Sequence, residues 1–192
     1  MRNGRFPKDR SYLFARLGIA IVVVAQCFGT SLWFSPAGAA AGLIARWQLE
    51  AADFSWLLAA TQLGFIAGTI AIGLGGFADR WSTSRLFALS CASGALLNAC
   101  VMAPQVGFIS AWCLRFAVGV CLAGIYPLGM KLVVQWVGSK PALALAWLVA
   151  MLTLGTAMPH VIAAVGVSFS WELILLGASV LALMGGVMVA VA

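Results

Sequence analysis

Charged residues are so sparse in this chain that they divide it into uncharged runs long enough to cross a lipid bilayer. Between Arg16 and Arg46 lie 29 uncharged residues, and between Asp53 and Asp79 lie 25. A helix crossing about 30 Å of hydrocarbon needs about 20 residues at about 1.5 Å each, so each run holds one span. Leu86 to Met130 is 45 residues whose single charge is Arg115, enough for two spans. They would be joined at Ala103-Pro104-Gln105, where proline interrupts a helix and glutamine tolerates the interface. Lys140 and Glu172 enclose 31 more uncharged residues, and 20 follow from Leu173 to Ala192. The expected fold is an all-α membrane protein with six transmembrane helices near 17–39, 53–77, 85–103, 107–129, 141–163 and 171–192. A cytoplasmic amino-terminal segment, 1–16, precedes the six-helix domain, 17–192.

Composition agrees: 64% of the residues are hydrophobic and 8% are charged, against about 25% charged in soluble domains. Such a chain has too little charge to neutralise phosphates, which argues against a nucleic-acid partner, and too much apolar surface to stay disordered. The lipid bilayer is its expected surroundings. The net charge of +6 carries topological meaning, because basic loops stay cytoplasmic. With the amino terminus inside, Arg2, Arg5, Lys8, Arg10, Arg16, Arg80, Arg85, Lys131 and Lys140 all fall on the cytoplasmic side. Only Arg46 faces out, and a bacterial inner membrane is the expected location. Trp47, Trp56, Trp112 and Trp171 then fall near the outer interface, and Trp81, Trp136 and Trp147 near the inner one, the depth that indole rings prefer. A cleavable signal peptide is disfavoured because the first apolar run continues from Leu17 to about Phe34, beyond the usual length of about 7–15 residues.

Reactive residues are few. Cys27, Cys91, Cys100, Cys113 and Cys121 form no C-x-x-C pair and lie in apolar segments, where cysteine serves as a small packing residue. His160 is the only histidine, and no G-x-S-x-G elbow occurs. Neither an enzyme nor a metal site is expected, and no cofactor. Asp53 and Glu172 stand at outer helix starts, where an acid complements the helix dipole.

The second and third spans are joined by a segment containing Gly75, Asp79, Arg80 and Arg85. A glycine four residues before Asp-Arg at this place resembles the signature loop of the major facilitator superfamily, although Ser82, Thr83 and Ser84 replace its glycine and first basic positions. The fourth span adds Arg115, Gly119, Ala123 and Gly124, similar to that family's fourth-helix pattern. Gly155 and Pro159 in the fifth span resemble its antiporter motif, with Met158 where a glycine belongs. The resemblance implies one half of a major facilitator fold, built of two inverted three-helix repeats. It also implies a conformational latch at Gly75, Asp79, Arg80 and Arg85; the alternative is a simple inside anchor.

Arg115 is costly in hydrocarbon, by about 2.5 kcal/mol or more, so it should face a cavity or a partner. Depth reckoned from the span ends puts Arg115 and Gln26 near one level, with Thr30 on the same helix face as Gln26. The resemblance makes these three the expected substrate-cavity residues. Arg115 can instead bond a backbone carbonyl or water and support structure. Small residues at Gly119, Ala123 and Gly124 favour close helix packing, and Pro127 can bend the end of its helix.

The expected function is secondary active transport of a small solute by alternating access. A lone midplane cation without a midplane carboxylate tilts that solute toward an anion. Nitrate is not assigned, because the second span lacks the arginine of the nitrate porters. Coupling to protons or another ion is open. Six spans correspond to half of such a transporter, so a fragment is expected, or a half that pairs with a second six-helix half in the same full-length chain or as a dimer. The alternative is a non-transporting membrane scaffold or assembly partner.

Overall fold

The computed structural model describes residues 8–76, 80–137, 141–165 and 169–192, with side-chain surroundings given for these except 8–16, 136–137, 141 and 155–165. Every regular element among them is an α-helix: α1 (Lys8–Gly38), α2 (Ala40–Trp47), α3 (Ala51–Gly75), α4 (Thr83–Cys100), α5 (Phe108–Ala123), α6 (Tyr126–Val137), α7 (Pro141–Val165) and α8 (Trp171–Val191). Four continuous segments are long and apolar enough to cross a membrane: Leu17–Gly38, Ala51–Gly75, Phe108–Gln135 and Trp171–Val191. They are the helices of an integral membrane protein. In α4, Arg85, Asn98 and the hydroxyl residues Thr83, Ser84, Ser90 and Ser93 dilute the apolar character of its 18 residues. Within α7 the described apolar stretch is Ala142–Leu154.

The helices bury narrow faces against one another and leave wide apolar faces outward. In α3, Leu57, Ala60, Thr61, Gly64 and Gly68 are buried, a spacing of three or four that places them on one stripe. The opposite side carries Leu63, Ile66, Ile70 and Leu74, all exposed. In water such a surface would drive aggregation; in lipid it is solvated, and each helix satisfies its own backbone groups.

Helix starts and stops follow local chemistry. Glu50 and Asp53 form a reciprocal capping box at the start of α3, with the Glu50 N–H donating to Asp53 Oδ2 at 3.3 Å. Asp53 is thus the capping residue expected. Ser170 caps α8 by accepting from the Leu173 N–H. Gly76 ends α3 in the left-handed region at φ 61°, a conformation costly for any residue with a Cβ.

The fourth expected span is one path in two helices. Pro127 cannot donate to the carbonyl four residues earlier, and the chain tightens there: the N–H groups of Gly124 and Ile125 bond to Cys121 and Leu122, three residues back. Pro127 therefore breaks this span between α5 and α6.

Packing is selective. The α3 helix lies along α5, α1 along both α7 and α8, and α4 along α8 and α5, while α1 also meets α6. The α3–α5 crossing depends on glycine on both sides: a Cβ at Gly64 would run into the Phe116 carbonyl, and one at Gly119 into the Thr61 carbonyl. Ala123 faces Gly68 one turn further along, so Gly119 and Ala123 lie on the α5 face that packs against α3. Gly124 is buried against Ser90 of α4.

Candidate functional site

Arg115 is buried, 1% exposed, near the middle of α5. Its guanidinium lies among four helices. Nε donates to Thr61 Oγ1 of α3 at 3.1 Å, Nη1 to Asn98 Oδ1 of α4 at 2.7 Å, and Nη2 to the Leu32 carbonyl of α1 at 2.9 Å. Asn98 extends the network to α8, donating from Nδ2 to the Leu175 carbonyl at 2.9 Å and to Ser179 Oγ at 3.0 Å. Ser35 Oγ lies 3.1 Å from both Asn98 Oδ1 and the Leu32 carbonyl, and its one hydrogen can go to either. Five helices are thereby joined, and each guanidinium nitrogen has an oxygen partner. Among the described residues no acidic side chain takes part.

The Leu32 carbonyl is available because of sequence. Pro36 lies inside α1 four residues later and has no N–H to give it. A carbonyl stranded in hydrocarbon costs free energy of about 1–3 kcal/mol. The Ser35 hydroxyl, 3.1 Å away, and the Arg115 guanidinium stand in for the missing helical N–H, and the charge strengthens the arginine's bond.

The expectation that Arg115 faces a cavity is therefore corrected: its donors are directed at protein oxygens. Nor does it share a level with Gln26. Arg115 reaches α1 at Leu32, six residues beyond Gln26 and about 9 Å further along the helix. Asn98 and Thr61, the side chains that make its burial tolerable, and Ser35 beside Asn98 were not among the expected site residues. The available signal for Asn98 was a lone amide in an apolar span.

Gln26 is also buried, 1% exposed, and among the described residues neither its Oε1 nor its Nε2 has a hydrogen-bond partner. It lies at the seam between α1 and α6, where a Cβ on Gly129 would meet its side-chain oxygen and Phe87 stands nearby. Thr30 turns inward, donating to the Gln26 carbonyl at 2.8 Å.

A cavity of about 440 Å³ lies between α1, α7 and α8, lined in part by Thr30, Phe34, Leu154, Phe169 and Leu181. Neither Gln26 nor Arg115 is among its described lining residues. Ser31 and Ser35 also border it, but their hydroxyls are directed at protein oxygens, Ser31 at the Phe28 carbonyl and Ser35 at the Leu32 carbonyl or Asn98 Oδ1. The lining consequently behaves as apolar.

The expected latch is divided. Asp79 lies outside the described residues. Gly75 is the last residue of α3, and Arg80 and Arg85 are exposed. Gly155 and Pro159 fall within α7; their surroundings, and those of His160, lie outside the described residues. Among the described residues no group of three or more His, Cys, Asp or Glu side chains could hold a metal ion. Compared with known proteins, the chain matches no family model and no curated protein.

Proposed function

We propose that this chain is a six-span half of a secondary transporter of the major facilitator type, moving a small polar solute by alternating access. Spans three and five of this reading are α4 and α7, the amino terminus is cytoplasmic, and a bacterial inner membrane is the proposed location. The second half would lie in the same full-length chain or in a dimer partner.

The observation that carries the reading is the pattern of helix contacts. With α5 and α6 counted as one span, exchanging spans one, two and three with four, five and six maps the principal pairings onto one another. The pair α3 with α5 becomes α7 with α1, and α4 with α5 becomes α8 with α1; α4 with α8 maps onto itself. Two inverted three-helix repeats would produce this relation. Pro36-Ala37-Gly38 and Pro127-Leu128-Gly129 support it further. Each begins nineteen residues after the first residue of its span, Leu17 and Phe108 respectively.

The Arg115 network also suits such a machine, since rocking of one half against another requires a half that moves as a body. With that guanidinium directed at protein oxygens, the case for an anionic solute loses its basis. Gln26 takes its place, offering one donor group and one acceptor to a polar solute when the seam opens. Asp79 and Arg80 retain the proposed latch role toward the second half.

A cysteine placed at Gln26, with the native cysteines replaced, tests the reading in vesicles carrying the full-length protein or its dimer. Alternating access predicts labelling by a membrane-impermeant thiol reagent from each side in turn. A static scaffold would be labelled from one side or from neither, and that result would overturn transport.

A further inference from the structure

We propose that the groove at the α2 end of the bundle binds a phosphoethanolamine headgroup, its phosphate on Arg46 and its primary ammonium on Glu172. The groove is lined by Arg46, Trp47, Pro104, Gln105, Trp171 and Glu172 among others. It lies where α4 has ended at Cys100 and α8 begins at Trp171, the level at which the spans leave the hydrocarbon and headgroups begin. The inference rests on the membrane crossing alone and is independent of the transport reading.

Arg46 is set in place before any ligand arrives. Nη2 donates to the Ala103 carbonyl at 2.7 Å, and Nη1 to that of Met102 at 3.4 Å. The guanidinium carbon is 4.9 Å from the centre of the Trp171 ring and 5.5 Å from that of Trp47, distances at which the ring faces attract a cation. Trp47 is itself held, its indole N–H donating to the Val106 carbonyl at 3.1 Å. All these partners are neutral, so the positive charge is oriented without being cancelled.

Glu172 borders the same groove and is exposed. Among the described residues its carboxylate accepts no hydrogen bond, and no ion pair joins it to Arg46. An uncancelled cation and an uncancelled anion thus face one concavity with aromatic walls. The ligand that answers both is a zwitterion. A guanidinium with donors left over favours phosphate oxygens, and a carboxylate needs N–H donors. A primary ammonium has three and a choline group none, so ethanolamine is selected over choline. Phosphatidylethanolamine and soluble glycerophosphoethanolamine share this chemistry.

Native mass spectrometry of the purified full-length protein, titrated with phosphatidylethanolamine, phosphatidylcholine and phosphatidylglycerol of matched chains, tests the proposal. An exposed charge pair corresponds to a preference of about three-fold for ethanolamine. Glu172→Gln should abolish that preference and leave phosphatidylglycerol unaffected. Because Glu172 is exposed and unpaired, this variant keeps its fold, whereas Arg46→Gln also frees the turn carbonyls. Equal affinity for the three lipids, or an unchanged preference in Glu172→Gln, would overturn the proposal. A parallel titration with glycerophosphoethanolamine separates the sources: saturable binding assigns the site to the headgroup alone, and binding of the lipid only assigns it to a membrane-held ligand.

Discussion

Arg115 completes the backbone that Pro36 leaves open. The proline leaves the Leu32 carbonyl without its helical N–H, and a guanidinium from α5 donates to it at 2.9 Å, beside the Ser35 hydroxyl at 3.1 Å. A helix breaker and a buried cation, each unfavourable in lipid alone, offset one another.

This pairing predicts a coupled effect on stability. Arg115→Met takes a donor from Leu32, Asn98 and Thr61, leaving only the Ser35 hydroxyl to serve one of the first two, and should lower the unfolding free energy by about 2 kcal/mol. Adding Pro36→Ala gives the Leu32 carbonyl a helical N–H again. The double variant should therefore recover about 1 kcal/mol of the loss. Thermal unfolding in detergent of the four proteins of this cycle measures it, and strictly additive shifts would show that the two residues do not communicate.

The α3–α5 crossing gives a second prediction. Gly64→Ala would drive a methyl group into the Phe116 carbonyl, backbone that cannot swing aside, and should cost about 1–3 kcal/mol. Gly73→Ala in the same helix meets nothing within 4 Å and should be neutral or stabilising by up to about 1 kcal/mol. Melting temperatures of the two variants should move in opposite directions or, for Gly73→Ala, not at all. Equal gains would mean that helix propensity, not contact, decides both.

Much of this architecture is legible in the sequence where a single segment decides it. Uncharged runs announce the apolar helices, the Gly119 and Ala123 spacing announces a close crossing, and Asp53 announces a helix start. Arg115 shows the limit. Its burial follows from its place in an apolar run, but its partners come from three other helices, and spacing along one helix does not say which neighbours it meets. Gln26 and Arg115 lie at different levels for a related reason. Counting residues from span ends treats helices as upright rods and ignores the reach of an arginine side chain, which here extends to Leu32. One partner was still readable, since a proline inside a span marks the carbonyl four residues before it as seeking a donor.

Gln26 carries the last prediction. Its amide is buried against Gly129 with neither end bonded among the described residues, a state that opposes folding by about 1–3 kcal/mol for each unmet group. An apolar side chain of similar size removes that opposition, so Gln26→Leu should raise the melting temperature, by an amount equivalent to about 1 kcal/mol. Gly129→Ala should act in the opposite sense, because the added methyl presses on the amide oxygen and overpacking costs about 1–3 kcal/mol. In a Gln26→Ala background the methyl enters vacated space, and the penalty of Gly129→Ala should largely disappear. A Gly129→Ala penalty of the same size in both backgrounds would place the conflict elsewhere in α6, while a Gln26→Leu protein that melts lower than the parent would mean that the amide is already satisfied, for instance by water held at the seam.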